Sequence, residues 1–135
     1  MKGFHDDIEK LTVGNSDFRR VIYTGGHLQL VLMTLQPGDE IGAEVHADRD
    51  QFFRFEKGNG KVDIDNHTYD VEDGSGVIVP AGARHNVRNT GDAPLMLYTL
   101  YGPPEHKDQV VQSTKAEADR RHPHEEWDGA TTESL

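Results

Sequence analysis

Between Phe18 and Tyr101 turn residues cut the chain into short apolar or alternating runs at intervals of about ten residues. That spacing admits strands of ordinary length but no helix of ordinary length, and it predicts an all-β sandwich or barrel. The runs are Phe18–Thr24, Leu28–Leu35, Glu44–Ala47, Gln51–Glu56, Lys61–Ile64, Thr68–Val71, Val77–Val79, His85–Arg88 and Leu95–Tyr101. Gly25-Gly26, Pro37-Gly38-Asp39, Gly58-Asn59-Gly60, Asp65-Asn66-His67 and Pro80-Ala81-Gly82 punctuate them, each with residues that favour turns. Leu28–Leu35 (LQLVLMTL) is almost wholly apolar, as a strand buried on both faces requires. Three parts follow from this pattern: an N-terminal segment at 1–20, a barrel at 21–102 and a mostly polar tail at 103–135.

With 135 residues there is material for one buried core. Asp6–Lys10 and Lys115–Arg121 are candidate short helices. The tail holds too few apolar residues for a second core, so it either packs along the domain surface or stays disordered. Lys and Arg number 14 against 24 Asp and Glu, a formal charge of −10 with no basic cluster, which argues against nucleic acid and anionic lipid surfaces as partners. No run approaches the roughly 18 apolar residues of a membrane span. The first residues, MKGFHDDIEKL, lack the apolar stretch of a signal peptide. There is no cysteine, so disulfides, thiolate ligands and a cysteine nucleophile are excluded, in keeping with a cytoplasmic protein.

Two segments carry residues with chemistry. In the first, Glu44 and His46 stand two apart and so share one strand face, with Val45 on the other. On the next strand Gln51, Phe53 and Phe55 share a face, and Phe52, Arg54 and Glu56 take the opposite one. In the second segment His85 follows a turn whose Pro80 and Gly82 direct its approach. Two imidazoles, a carboxylate and an amide can therefore converge from three strands. Imidazole and carboxylate suit a divalent transition metal (Fe, Mn, Ni or Zn), and two His with one carboxylate is the set used by non-haem Fe(II) oxygenases. The plainer reading makes His85 a structural or surface residue.

Taken together, the segments resemble a known family. Gly74-x5-Pro80-x-Gly82-x2-His85-x3-Asn89 matches the second cupin motif at each defining position, and Pro37-Gly38-x5-Glu44-x-His46-x4-Gln51-x6-Gly58 resembles the first. The resemblance covers about residues 25–101. It implies a double-stranded β-helix, or jelly-roll barrel, with a metal at the inner end of its pocket held by Glu44, His46, Gln51 and His85. It also implies a homodimer and a small-molecule ligand, sugar-type or keto-acid, handled by isomerase or dioxygenase chemistry. Cupins usually present His-x-His and then Glu in the first motif, whereas this chain has Glu44-Val45-His46 and then Gln51. The carboxylate has moved to the first ligand position, and Gln51 is either a fourth ligand or a hydrogen-bonding neighbour of the site. A non-catalytic ligand-binding domain and a degenerate, metal-free cupin are the alternatives.

Other residues are read more plainly. Asp48 and Asp50 lie at a turn tip and are expected in solvent, as are His106, His122 and His124 in the polar tail. Phe53 and Phe55 are expected in the core and the pocket wall, and Phe52 in a sheet-on-sheet dimer contact. Arg84 either meets an anionic ligand at the pocket mouth or forms an exposed salt bridge.

Overall fold

The computed structural model describes residues 1–121 and 124–134. Its elements, in chain order, are α1 (Ile8–Val13), β1 (Arg19–Thr24), β2 (Gln29–Leu35), β3 (Glu44–Val45), β4 (Asp50–Lys57), β5 (Gly60–Ile64), β6 (His67–Val71), β7 (Gly76–Val79), β8 (Arg84–Asn89), β9 (Leu95–Gly102), β10 (Val111–Gln112) and α2 (Lys115–Arg121). They form two antiparallel sheets, a six-stranded one ordered β10-β1-β2-β9-β4-β7 and a four-stranded one ordered β3-β8-β5-β6. This is the all-β architecture expected from the spacing and the jelly roll that the resemblance implies, with the core between the sheets. No helix among the described residues is long and apolar enough to cross a membrane.

Register decides what the interior contains. Val21, Val31, Thr99, Phe53 and Val77 pair across five neighbouring strands and form one inward-facing row. One step of the pleat along, Thr24 and Gln29 are paired, as are Gln29 and Tyr101, and Tyr101 and Gln51; all four are buried. The six-stranded sheet thus has an apolar middle and a polar end. On the facing sheet Glu44 pairs with His85, and His85 with Ile64, so ionisable groups meet that polar end. β2 is buried at every position, as its sequence predicts.

The ends of the chain contribute more than their composition suggests. α1 starts later than the expected Asp6–Lys10: Asp7 caps it, its Oδ1 accepting from the Lys10 backbone N–H at 3.0 Å. In the tail, β10 pairs with β1 and covers an edge that would otherwise present unpaired backbone groups. Val110 and Ala118 join the barrel core, at 5% and 4% exposure. The few apolar residues of this segment therefore extend the first core instead of building another. α2 spans the expected Lys115–Arg121.

Gly58 lies in the turn between β4 and β5. Its φ is +97°, and a Cβ there would stand 2.6 Å from the Pro94 carbonyl oxygen. Gly74 shares the positive φ (+90°) but has open space around it. Gly58→Ala is expected to destabilise the fold by about 2–4 kcal/mol, backbone strain plus displacement of Pro94, and Gly74→Ala by about 1 kcal/mol. Urea denaturation of the two variants checks the difference; equal losses would remove the Pro94 contact from the explanation.

Candidate metal centre

β3, β4 and β8 bring the two motif segments to the polar end of the barrel. Strand alternation points Glu44 and His46 inward and leaves Val45 53% exposed on the outside. His85 arrives on β8 after Gly82, whose φ of +90° makes the turn and whose N–H donates to the His46 carbonyl at 2.8 Å. That bond ties the second motif directly to the first.

Glu44, His46 and His85 each present one ligand atom, all within 4.8 Å of one another. The imidazoles are nearly buried, at 8% and 3% exposure, with ring centroids 5.2 Å apart. The His85 Nδ1 sits 3.2 Å from the Ala83 carbonyl oxygen, which selects the tautomer protonated there and leaves Nε2 with its lone pair. The His46 Nε2 lies 2.9 Å from Glu44 Oε2 but makes no well-formed hydrogen bond, so a buried ring nitrogen is left without a proper partner. Two imidazole nitrogens and a carboxylate in this state suit a divalent transition ion, and the residues fit the metal that the motifs imply.

Gln51 stands at the edge of this group. It is 3% exposed; its Nε2 donates to Thr99 Oγ1 at 3.0 Å, while its Oε1 is a buried acceptor without a partner. Phe53 and Phe55 form the core floor, stacked with centroids 6.3 Å apart, and Phe53 stands 6.3 Å from the His85 ring.

Motif reading missed two residues, Glu105 and Arg19. Glu105 Oε2 is 3.4 Å from His46 Nδ1 and 3.1 Å from Arg49 Nε, on the far side of the ring from Glu44. Gln29 holds it there: its Oε1 accepts from the backbone N–H groups of Glu105 and His106 (3.1 and 3.0 Å), and its Nε2 donates to the His106 carbonyl at 2.7 Å. The same clamp corrects the expectation for His106, which is 8% exposed with its Nε2 3.3 Å from the Tyr101 hydroxyl. His124 is exposed as expected, and His122 lies outside the described residues. Asp48 is exposed; Asp50 is also exposed, with its Oδ1 accepting from the Ala81 N–H at 2.8 Å. Arg84 is exposed and does not line the cavity that opens onto the site. Arg19 and Lys115 do, in a volume of about 450 Å³ that Glu44, His46 and Glu105 also line.

The family model for the cupin domain matches residues 31–101. This chain belongs to the cupin family. The cupin is 44% identical over 123 residues to the uncharacterized protein YrkC of Bacillus subtilis, an alignment covering 87% of this chain and 66% of that one. It is 39% identical to the uncharacterized protein L612 of Acanthamoeba polyphaga mimivirus, over 74% of this chain and 65% of the other. The chain thus spans just under two thirds of the length of these relatives. A crystal structure of a Bacillus halodurans protein superposes with a TM-score of 0.87 at 43% identity, covering 88% of this chain and 95% of that one.

Electrostatics divides the imidazoles of this cupin. Burial opposes a charge on His46, but the adjoining carboxylates of Glu44 and Glu105 outweigh it and raise the pKa above the usual imidazole range. Burial likewise opposes a charge on Glu44, and its contact with His46 prevails and lowers the pKa. At His85 burial dominates and lowers the pKa. In metal-free protein His46 is therefore expected to lose its proton above the ordinary imidazole midpoint and His85 below it. The His46 pairing stabilises the fold below the ordinary midpoint, and its contribution fades as pH rises through the elevated one. Long-range ¹H–¹⁵N NMR titration of the imidazoles checks the order; His85 titrating above His46 would overturn it.

Proposed function

We propose that this cupin is a metal-binding protein that acts on a small polar molecule of the sugar or keto-acid type. The observation that carries the reading is the convergence of three ligand atoms, one each from Glu44, His46 and His85, beside an open cavity. Glu44, His46 and His85 would hold the ion. Gln51 offers it, or a ligand hydroxyl, its Oε1, a buried acceptor without a hydrogen-bond partner. When bound, Fe, Mn, Ni or Zn in such a set supplies Lewis acidity toward a carbonyl or a site for dioxygen, the bases of isomerase and dioxygenase chemistry.

The chain's own residues do the positioning. Glu105 faces His46 Nδ1 and so directs Nε2 toward Glu44 and His85. Arg49 opposes the Glu105 charge, and burial raises the pKa of that carboxyl. The Tyr101 phenol, pushed far up by burial, stays protonated in the interior beside His46, with ring centroids 6.0 Å apart. Packing of Phe52 on Tyr98 and the 70% exposure of Ile78, both on the outer face of the six-stranded sheet, support assembly as a homodimer. The lack of cysteine fits a cytoplasmic setting.

Elemental analysis of protein purified without a histidine tag is expected to find about one equivalent of transition metal, lost in Glu44→Ala and His85→Ala. No metal after reconstitution would favour the degenerate, metal-free alternative, and a ligand recovered chemically unchanged the non-catalytic one. Glu105→Gln keeps the shape but removes the charge behind His46, and is expected to weaken metal binding by about 10–100-fold. Competition with a fluorescent chelator measures it. Affinity in the wild type is expected to fall as pH drops through the elevated His46 midpoint, because the ion and the proton compete for Nε2.

A further inference from the structure

Arg19 is a buried charge that the metal centre does not use. It precedes the exposed Arg20 and stands two residues before the buried Val21, so alternation on β1 turns it inward with Val21, and it keeps 7% exposure. Its Nη1 donates to Gln112 Oε1 at 2.7 Å, whereas its buried Nε has no acceptor. No salt bridge to Arg19 forms among the described residues. A guanidinium cannot shed its proton to relieve burial, so the charge calls for an anion.

The other charges on the cavity wall are engaged. Lys115 Nζ donates to Asp119 Oδ1 at 2.8 Å and to the Ile41 carbonyl at 2.9 Å. Glu105 faces Arg49, and Glu126 has an interaction of its own. Glu44 faces His46 and is the carboxylate whose charge also reaches Arg19, and a divalent ion held by Glu44 would take up that charge and leave this part of the cavity with an excess of positive charge. Because Gln112 occupies Nη1, the guanidinium edge formed by Nε and its neighbouring nitrogen is left, a two-point donor that matches the two oxygens of one carboxylate. A volume of about 450 Å³ limits the occupant to a small molecule.

We infer that Arg19 is the specificity-determining residue of the cavity: it receives both carboxylate oxygens of a small acid whose neighbouring keto or hydroxyl oxygen faces Glu44, His46 and His85. The second half of this statement rests on the metal reading above; the first half does not. The probes are pyruvate, its uncharged methyl ester and inorganic phosphate, titrated calorimetrically into metal-free and Ni²⁺-loaded protein. Pyruvate is expected to bind at least about tenfold more tightly than either of the others. Arg19→Gln is expected to lose that factor for pyruvate while leaving methyl pyruvate and Ni²⁺ affinity essentially unchanged. Gln112→Leu removes the tether but not the guanidinium, and is expected to keep the preference.

Wild-type protein that treats acid and ester alike overturns the inference without any variant having to fold. So does Arg19→Gln that binds pyruvate like the wild type, phosphate that outcompetes pyruvate, or a Gln112→Leu variant that loses the preference. Protein that takes up no Ni²⁺ yet still prefers pyruvate through Arg19 sinks the metal reading and leaves the carboxylate site standing. Protein that binds Ni²⁺ without the preference does the reverse.

Discussion

The pairing of Glu44 with His85 across β3 and β8 is the constraint on which the site depends. Because side chains alternate along a strand, a slip of one residue in that short ladder would turn Glu44 or His85 outward and dissolve the cluster. Two backbone contacts guard the register: the Gly82 N–H on the His46 carbonyl, and the Asn86 side chain, which accepts from the Gly42 N–H at 2.9 Å. The motif residues outside the ligand set therefore serve the ligands by fixing where the backbone goes.

Burying ionisable groups at one end of a β-barrel creates a demand that the rest of the molecule meets. Glu44 and His46 meet each other, Glu105 meets His46 and Arg49, and Gln29 holds the Glu105 backbone in place. Among the described residues five buried polar side-chain atoms lack a well-formed hydrogen bond; His46 Nε2, Gln51 Oε1, Arg19 Nε and Glu105 Oε2 belong to this end of the barrel, and the fifth, Arg54 Nε, lies on the other face of β4 beside Glu56. Unsatisfied buried polar atoms are costly, and their concentration in one region is the physical signature of a place built for something that is not protein. An imidazole nitrogen and an amide oxygen suit a cation, and a guanidinium suits an anion.

The tail illustrates how a weak compositional signal can mislead. Residues 103–135 are polar enough to read as a surface appendage, yet Glu105 and His106 reach into the site, Val110 enters the core, and Lys115 lines the cavity. None of these positions forms a local pattern with its neighbours. They are placed by long-range partners, Gln29 for Glu105 and His106 and β1 for β10.

Periodicity alone marked out the strands up to β9, because the turn residues that bound them act locally, though not β10 in the tail; the two motifs alone brought Glu44, His46 and His85 forward, because alternation fixes which side chains share a face. Gln51 was legible as an inward residue; that its nitrogen is taken by Thr99 and only its oxygen left over was not. Arg19 shows the limit most clearly. Sequence places it beside Val21 on an apolar strand face, but whether such a charge is paired depends on which carboxylates fold to within reach. That is a property of distances between strands far apart in the chain, and only the packed barrel settles it.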